Sequence, residues 1–145
     1  MILADERATL DVGGRLASLL RPGDVVTLSG PLSAGKTTLV RGILAALGHE
    51  GEVPSPSFAI VQPYDELSPP VWHVDLYRIE QPSDVEELGL DDIREEAVLI
   101  VEWPEHAGDG IWPDALALSL EALEDGSRSL TARVPAAWEG RWSLS

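Results

Sequence analysis

Gly30-Pro31-Leu32-Ser33-Ala34-Gly35-Lys36-Thr37 is the stretch that decides the fold of this 145-residue chain. It satisfies G-x-x-x-x-G-K-[ST] at every fixed position, and Lys36 is the one lysine in the sequence. Such a loop works only between a strand and a helix. Upstream, Val25-Val26-Thr27-Leu28-Ser29 follows the turn Arg21-Pro22-Gly23-Asp24 and reads as a buried strand. Downstream, Leu39, Val40, Ile43, Leu44 and Leu47 recur at helical spacing, with Gly48 placed as a C-terminal cap. Strand, glycine loop and helix therefore come in the required order.

The chemistry of the loop follows from its backbone. N–H groups of the loop, those of Gly30, Ser33, Ala34 and Gly35 among them, form an anion nest, and the helix that starts near Gly35 adds the positive end of its dipole. Gly30 and Gly35 permit approaches that a side chain would block. Lys36 reaches the β- and γ-phosphates of a nucleotide as a point charge, the Thr37 hydroxyl coordinates Mg²⁺, and Thr38 serves the α-phosphate side. A turn that merely starts a helix has no need of the Lys-Thr pair.

A phosphate loop needs a second acid to complete the Mg²⁺ shell. Val98-Leu99-Ile100-Val101-Glu102 supplies one, with glutamate where aspartate is more common. A carboxylate directly after four aliphatic residues is costly to bury unless it is paired or bound to metal, and the plain alternative is a strand leaving into solvent. Asp75 ends Val71-Trp72-His73-Val74 in the same way. It either positions the attacking water, holds Mg²⁺ through a water, or simply caps a strand end. Ser55 and Ser57 lie in the proline-punctuated loop Gly51 to Ser57, of a kind that senses a γ-phosphate or forms an ordinary turn.

Composition narrows the class. The length suits one domain, residues 1–145, with 136–145 a short tail expected to fray. There is no cysteine, so no disulfide or thiolate metal site. His49, His73 and His106 lack metal-site spacing and read as solvated or hydrogen-bonded side chains. The formal net charge of −15 repels nucleic acid, so any RNA is expected to be held by another chain. Asp5, Glu6 and Arg7 put charges where a signal peptide needs an apolar run, no apolar stretch approaches a membrane span, and a cytoplasmic location is expected.

Elsewhere, Asp5 to Leu20 reads as a helix whose apolar face carries Val12, Leu16, Leu19 and Leu20, interrupted by Gly13-Gly14. Phe58 to Val61 and Val71 to Val74 read as an antiparallel hairpin around a polar turn, Asp65 to Pro70. Ser83-Asp84-Val85-Glu86 has the capping-box pattern. Ala97 to Val101 reads as a fully buried strand. Ala115 to Leu120 and Ser129 to Val134 form a second hairpin across Gly126. Trp72 is expected on a sheet face. Trp103 is expected at the nucleotide or a partner, and Trp112, Trp138 and Trp142 at core edges or an interface.

Five segments in this order, Gly30 to Thr38, Ser55-Pro56-Ser57-Phe58, His73-Val74-Asp75-Leu76-Tyr77-Arg78, Glu86-Glu87-Leu88-Gly89 and Glu102-Trp103-Pro104, resemble the TsaE family of bacterial tRNA threonylcarbamoyladenosine synthesis. The resemblance spans roughly residues 5–135. It implies a P-loop NTPase-like α/β fold with a mixed parallel and antiparallel central sheet flanked by helices. It implies Mg²⁺-dependent ATP hydrolysis, weak in isolation, and association with TsaD and TsaB, which act on the tRNA. By the family pattern Lys36 and Thr37 match nucleotide and Mg²⁺ positions, Glu102 the second Mg²⁺ ligand and Asp75 an activity-critical acid. Glu6, Thr9 and Arg128 are further positions placed at the nucleotide. The chain departs from the pattern at Pro31, Ser33 and Ser57, where Asp, Gly and Thr are usual. Pro31 removes one loop N–H and stiffens the loop.

Two other readings of the loop make different demands. A GTPase needs a second lysine in its guanine-reading N-K-x-D motif, so ATP is expected over GTP. A small-molecule kinase closes an arginine-rich lid over the phosphates, and Arg41, Arg78 and Arg94 are scattered.

Overall fold

The computed structural model describes residues 1–31, 34–53, 61–108 and 110–142. In chain order the elements are β1 (Ile2–Leu3), α1 (Glu6–Ala17), β2 (Val25–Ser29), α2 (Lys36–Ala46), β3 (Val61–Tyr64) and β4 (Val71–Asp75). There follow α3 (Ser83–Glu86), α4 (Leu90–Arg94), β5 (Val98–Glu102), β6 (Leu116–Ala122) and β7 (Arg128–Arg133). Short 3-10 turns occupy Pro104–Ala107 and Ala136–Trp138.

The strands form one mixed sheet in the order β1-β7-β6-β2-β5-β4-β3. Its centre is parallel: β2 pairs with both β5 and β6, and β5 pairs with β4. The hairpins β3–β4 and β6–β7 and the short pair β1–β7 are antiparallel. A parallel strand covered on both faces reads as a continuous apolar run, which explains Val25–Ser29 and Val98–Val101. On one face, Val26, Leu28, Ile100, Leu116 and Leu118 pack with Leu16, Leu39, Ile43 and Leu44 of α1 and α2. On the other, Val25, Val74, Leu99 and Val101 meet Val85, Leu90 and Trp112.

The Gly13-Gly14 pair, which weakens the helical pattern, is accommodated by close helix packing. A methyl at Gly13 would lie 2.6 Å from the Leu39 carbonyl oxygen, and one at Gly42 would lie 2.4 Å from that of Leu10. The two glycines let the backbones of α1 and α2 touch. Helix α2 ends as its pattern predicts. Gly48 N–H donates to Ala45 O at 3.1 Å and His49 N–H to Leu44 O at 2.9 Å, with Gly48 at φ 104°.

Two expectations change, the cap of α3 and the fraying of the tail. Ser83 does not cap α3: the helix is four residues long, Pro82 stands at its N-cap, and no side chain bonds to its free N–H groups. Residues after Pro135 do not all fray. Trp138 is buried, and the Arg141 guanidinium packs over its ring while bonding to Asp24 at 2.5 Å. Strand β1 and helix α4 have no counterpart in the sequence reading, since two and five residues are too few to show a period. The first hairpin forms, but its first strand is described only from Val61, with Phe58 outside the described residues. Trp72 lies in β4, as expected, half-buried against the second core.

Gly42→Ala should destabilise the protein by about 1–3 kcal/mol through overpacking, whereas Gly14→Ala should stabilise it by up to about 1 kcal/mol through helix propensity. At Gly14 an added methyl meets only Ala46 Cβ, at 3.8 Å. Denaturant unfolding of the two variants checks this, and equal effects would contradict the packing described. The same measurement on Trp138→Ala should show a loss of about 3–5 kcal/mol if the tail is docked.

Candidate active site

The parallel ladder assembles the acids. Asp75 stands opposite Glu102, and Glu102 opposite Leu28, so both carboxylates lie at the C-terminal ends of central strands. Ligand sites of open parallel sheets gather at that end. Glu102 is 3% exposed, Asp75 5%, Lys36 5% and His73 0%. The plain alternative for Glu102, a strand running out into solvent, is therefore not what occurs. Its Oε2 lies 2.6 Å from His73 Nε2, and Asp75 Oδ1 accepts the Tyr77 N–H at 2.9 Å. Beyond the strand, Trp103 takes a left-handed conformation (φ 59°, ψ 49°) while its N–H donates to Leu28 O at 3.2 Å. That turn carries the indole back over the loop.

The glycine loop joins β2 to α2 at the same level. Gly30 has φ 141°, and a Cβ there would lie 2.2 Å from the Leu120 carbonyl oxygen, so no other residue fits. Gly35, at φ 102°, stands at the N-cap of α2, with no side-chain cap hydrogen bond among the described residues. The first free N–H groups of α2 thus face the loop. Lys36 opens the helix; its Nζ donates to Gly30 O at 2.6 Å and sits 3.9 Å from the centre of the Trp103 ring. Burial lowers the Lys36 pKa, while the charges of Glu102, Asp75 and Glu105 pull it back up. Burial raises the Asp75 pKa, Glu102 adds to the rise, and the Tyr77 N–H opposes it. One ammonium thus faces two buried acids that strain against each other.

Three dispersed sequence positions converge beside the loop. Glu6, Thr9 and Arg128 line a cavity of about 110 Å³ with Asp5, Gly35, Thr38 and Gly126. Asp5 caps α1 through its carboxylate, which accepts the Ala8 N–H at 2.9 Å, and Glu6 meets Arg41 at 3.4 Å. Ala34 is buried under the loop. Ser33, Ser55 and Ser57 lie outside the described residues.

Among the described residues no three His, Asp or Glu side chains gather to hold a metal ion unaided. The donor set nevertheless fits a hard cation shared with a phosphate. A hydroxyl from the first turn of α2 and a buried glutamate with one oxygen tethered by a histidine are oxygen donors of the kind Mg²⁺ takes. Two participants escaped the sequence reading. Asp5 carries an N-cap signal, and His73 shares a strand face with Asp75 two residues on, a spacing visible in the sequence. The Trp103 ring belongs to an aromatic group with Tyr77 and His106, at 5.0 and 5.6 Å between centroids.

The chain is similar in sequence and fold to known proteins. The family model for threonylcarbamoyl adenosine biosynthesis protein TsaE matches residues 3–130. The tRNA threonylcarbamoyladenosine biosynthesis protein TsaE of Streptomyces coelicolor is 45% identical over 114 residues, covering 77% of this chain and 77% of that protein. Its Haemophilus influenzae namesake is 37% identical over 119 residues, covering 78% of this chain and 75% of that protein. The crystal structure of YdiB from Bacillus subtilis aligns with a TM-score of 0.78 at 29% identity, covering 91% of this chain and 82% of that one. With a family match along most of its length, this chain belongs to the TsaE family of tRNA threonylcarbamoyladenosine biosynthesis proteins.

Proposed function

We propose that this chain is a Mg²⁺-dependent ATPase subunit that supports threonylcarbamoyl transfer to tRNA adenosine by a TsaD–TsaB pair, with little turnover alone. The observation that carries the reading is the burial of Asp75 and Glu102, side by side in register, around the single lysine of the phosphate loop. Such charges are expensive to hold in an apolar sheet unless a ligand of matching charge completes them.

Each residue then has one task. The backbone N–H groups of the loop and of the first turn of α2 hold the phosphates. Lys36 moves from the Gly30 carbonyl to the β- and γ-phosphate oxygens. Thr37 and Glu102 would hold Mg²⁺, which would supply positive charge to those oxygens. Asp75 orients the attacking water. Thr38, Glu6, Thr9 and Arg128, grouped at the cavity beside Gly35, hold the α-phosphate and nucleoside end. Trp103 packs its ring against the Lys36 ammonium, 3.9 Å from the ring centre.

The kinase alternative draws little support. Arg94 is bonded to Asp114 at 2.6 Å and to the Gly23 carbonyl at 2.7 Å, and Arg41 is paired with Glu6. These two arginines serve the fold or the N-terminal segment and do not form a lid. No helix of the described residues is long and apolar enough to cross a membrane. The acidity of the chain supports a division of labour in which the partners hold the tRNA.

Purified chain should hydrolyse ATP near background, and adding TsaB and TsaD from the same source should raise the rate strongly. A rate indifferent to the pair would remove the partner assignment. Lys36→Ala should lower partner-stimulated turnover about 10²–10³-fold, on the scale of removing one preorganised electrostatic contact. Chelation of Mg²⁺ should abolish the same turnover, and competition binding should favour ATP over GTP.

A further inference from the structure

Glutamate at the end of β5 poses a problem that aspartate would not. It carries one more rotatable bond, so its carboxylate is harder to hold at one point. It is also buried, so a wandering carboxylate loses the water that would otherwise solvate it. The neighbouring strand meets both demands. His73 lies two residues before Asp75 on β4, and in the ladder it stands opposite Ile100, two residues before Glu102. The side chains of His73, Asp75 and Glu102 therefore share one face of the sheet. The diagonal from His73 to Glu102 is closed by the 2.6 Å contact between Nε2 and Oε2.

The other ring nitrogen fixes the direction of that bond. His73 is fully buried, and its Nδ1 has no hydrogen-bond partner among the described residues. A buried N–H left unmade costs more than an idle lone pair, so the proton belongs on Nε2. The ring is then a donor aimed at one oxygen of Glu102. It holds Oε2 and leaves Oε1 as the oxygen for a cation.

We propose that His73 is the positioning residue of Glu102, tethering one carboxylate oxygen so that the other meets Mg²⁺ at the head of the phosphate loop. The inference rests on the Mg²⁺–ATP reading above and adds to it a residue that touches neither metal nor nucleotide. Hydrogen bonds to a ligating carboxylate tune metal affinity in this way in other sites.

The test is a Mg²⁺ titration of the binding of a fluorescent ATP analogue to the full chain, alongside binding measured in EDTA. His73→Phe refills the ring without a donor. It should raise the Mg²⁺ concentration at half-saturation on the order of tenfold and leave affinity in EDTA unchanged. His73→Gln, whose amide N–H extends as far as Nε2, should restore most of the shift. In a Glu102→Gln background His73→Phe should add nothing further. An unchanged Mg²⁺ midpoint in His73→Phe, or a His73→Gln variant no better than it, would overturn the proposal and leave His73 as core filling. Should His73→Phe not fold, His73→Leu takes its place under the same criteria. Wild-type binding that ignores Mg²⁺ would bring down the underlying reading itself, and it would show before any variant is made.

Discussion

Asp75, Glu102 and Leu28 share one level of the parallel ladder through β4, β5 and β2. A slip of one residue in either pairing would turn an acid to the opposite face, against Val85, Leu90 and Trp112, where nothing could meet its charge. Register is therefore set by chemistry as well as by the apolar pattern. The same ladder ends β2 at Ser29, directly before Gly30, so the loop opens at the height of the two acids. Even the residue after the ladder obeys it. Trp103 bonds back to Leu28 and so keeps its ring over Lys36.

The charge balance explains how an acidic chain can accommodate a polyanion. At long range the net charge of −15 opposes any phosphate, and salt screens that opposition beyond roughly 8–10 Å. At contact the local donors decide. These are the free N–H groups at Gly35 and the first turn of α2, together with a lysine whose water has been stripped. Desolvation is unfavourable for Lys36 by itself, but it strengthens every interaction made in the same space. The site thus holds its cation in a state that gains most from an anionic ligand. The charges of Glu102, Asp75 and Glu105 partly offset the lowering of the Lys36 pKa by burial.

Where a local pattern carries the information, the sequence was readable. The strand Val25–Ser29 appears with the bounds expected of it, because buried parallel strands and glycine loops are contiguous signals. The hairpin across Gly126 and the buried run ending at Glu102 were visible for the same reason. What escaped depends on pairs distant in sequence. The His73–Glu102 bond joins residues 29 apart and exists only once two strands align. Gly13 looks like a defect in a helix until Leu39 of another helix lies against it. Ser83 shows the converse failure: a capping pattern was present, yet α3 is a four-residue turn in which the box never closes. In Pro135 to Trp142 the tryptophans were readable as core-edge residues, but the Arg141–Asp24 pair that helps dock the segment joins residues far apart in sequence and was not.

The glycine contact between the helices also bears on the site, although neither glycine lies in it. Helix α1 begins at Glu6, and its first turns carry Glu6 and Thr9 to the cavity beside Gly35 and Thr38. How far those residues stand from the start of α2 depends on the spacing of the helices. Gly13 and Gly42 hold that spacing to backbone contact. A larger residue at either position would move the N-terminal segment away from the loop as well as loosen the core. Helices packed through ordinary side chains sit about 8–10 Å apart, so even a small widening is large beside a 110 Å³ cavity. The N-terminal segment is thereby coupled to the loop through packing, and the two glycines that appear to weaken α1 and α2 are the condition for it.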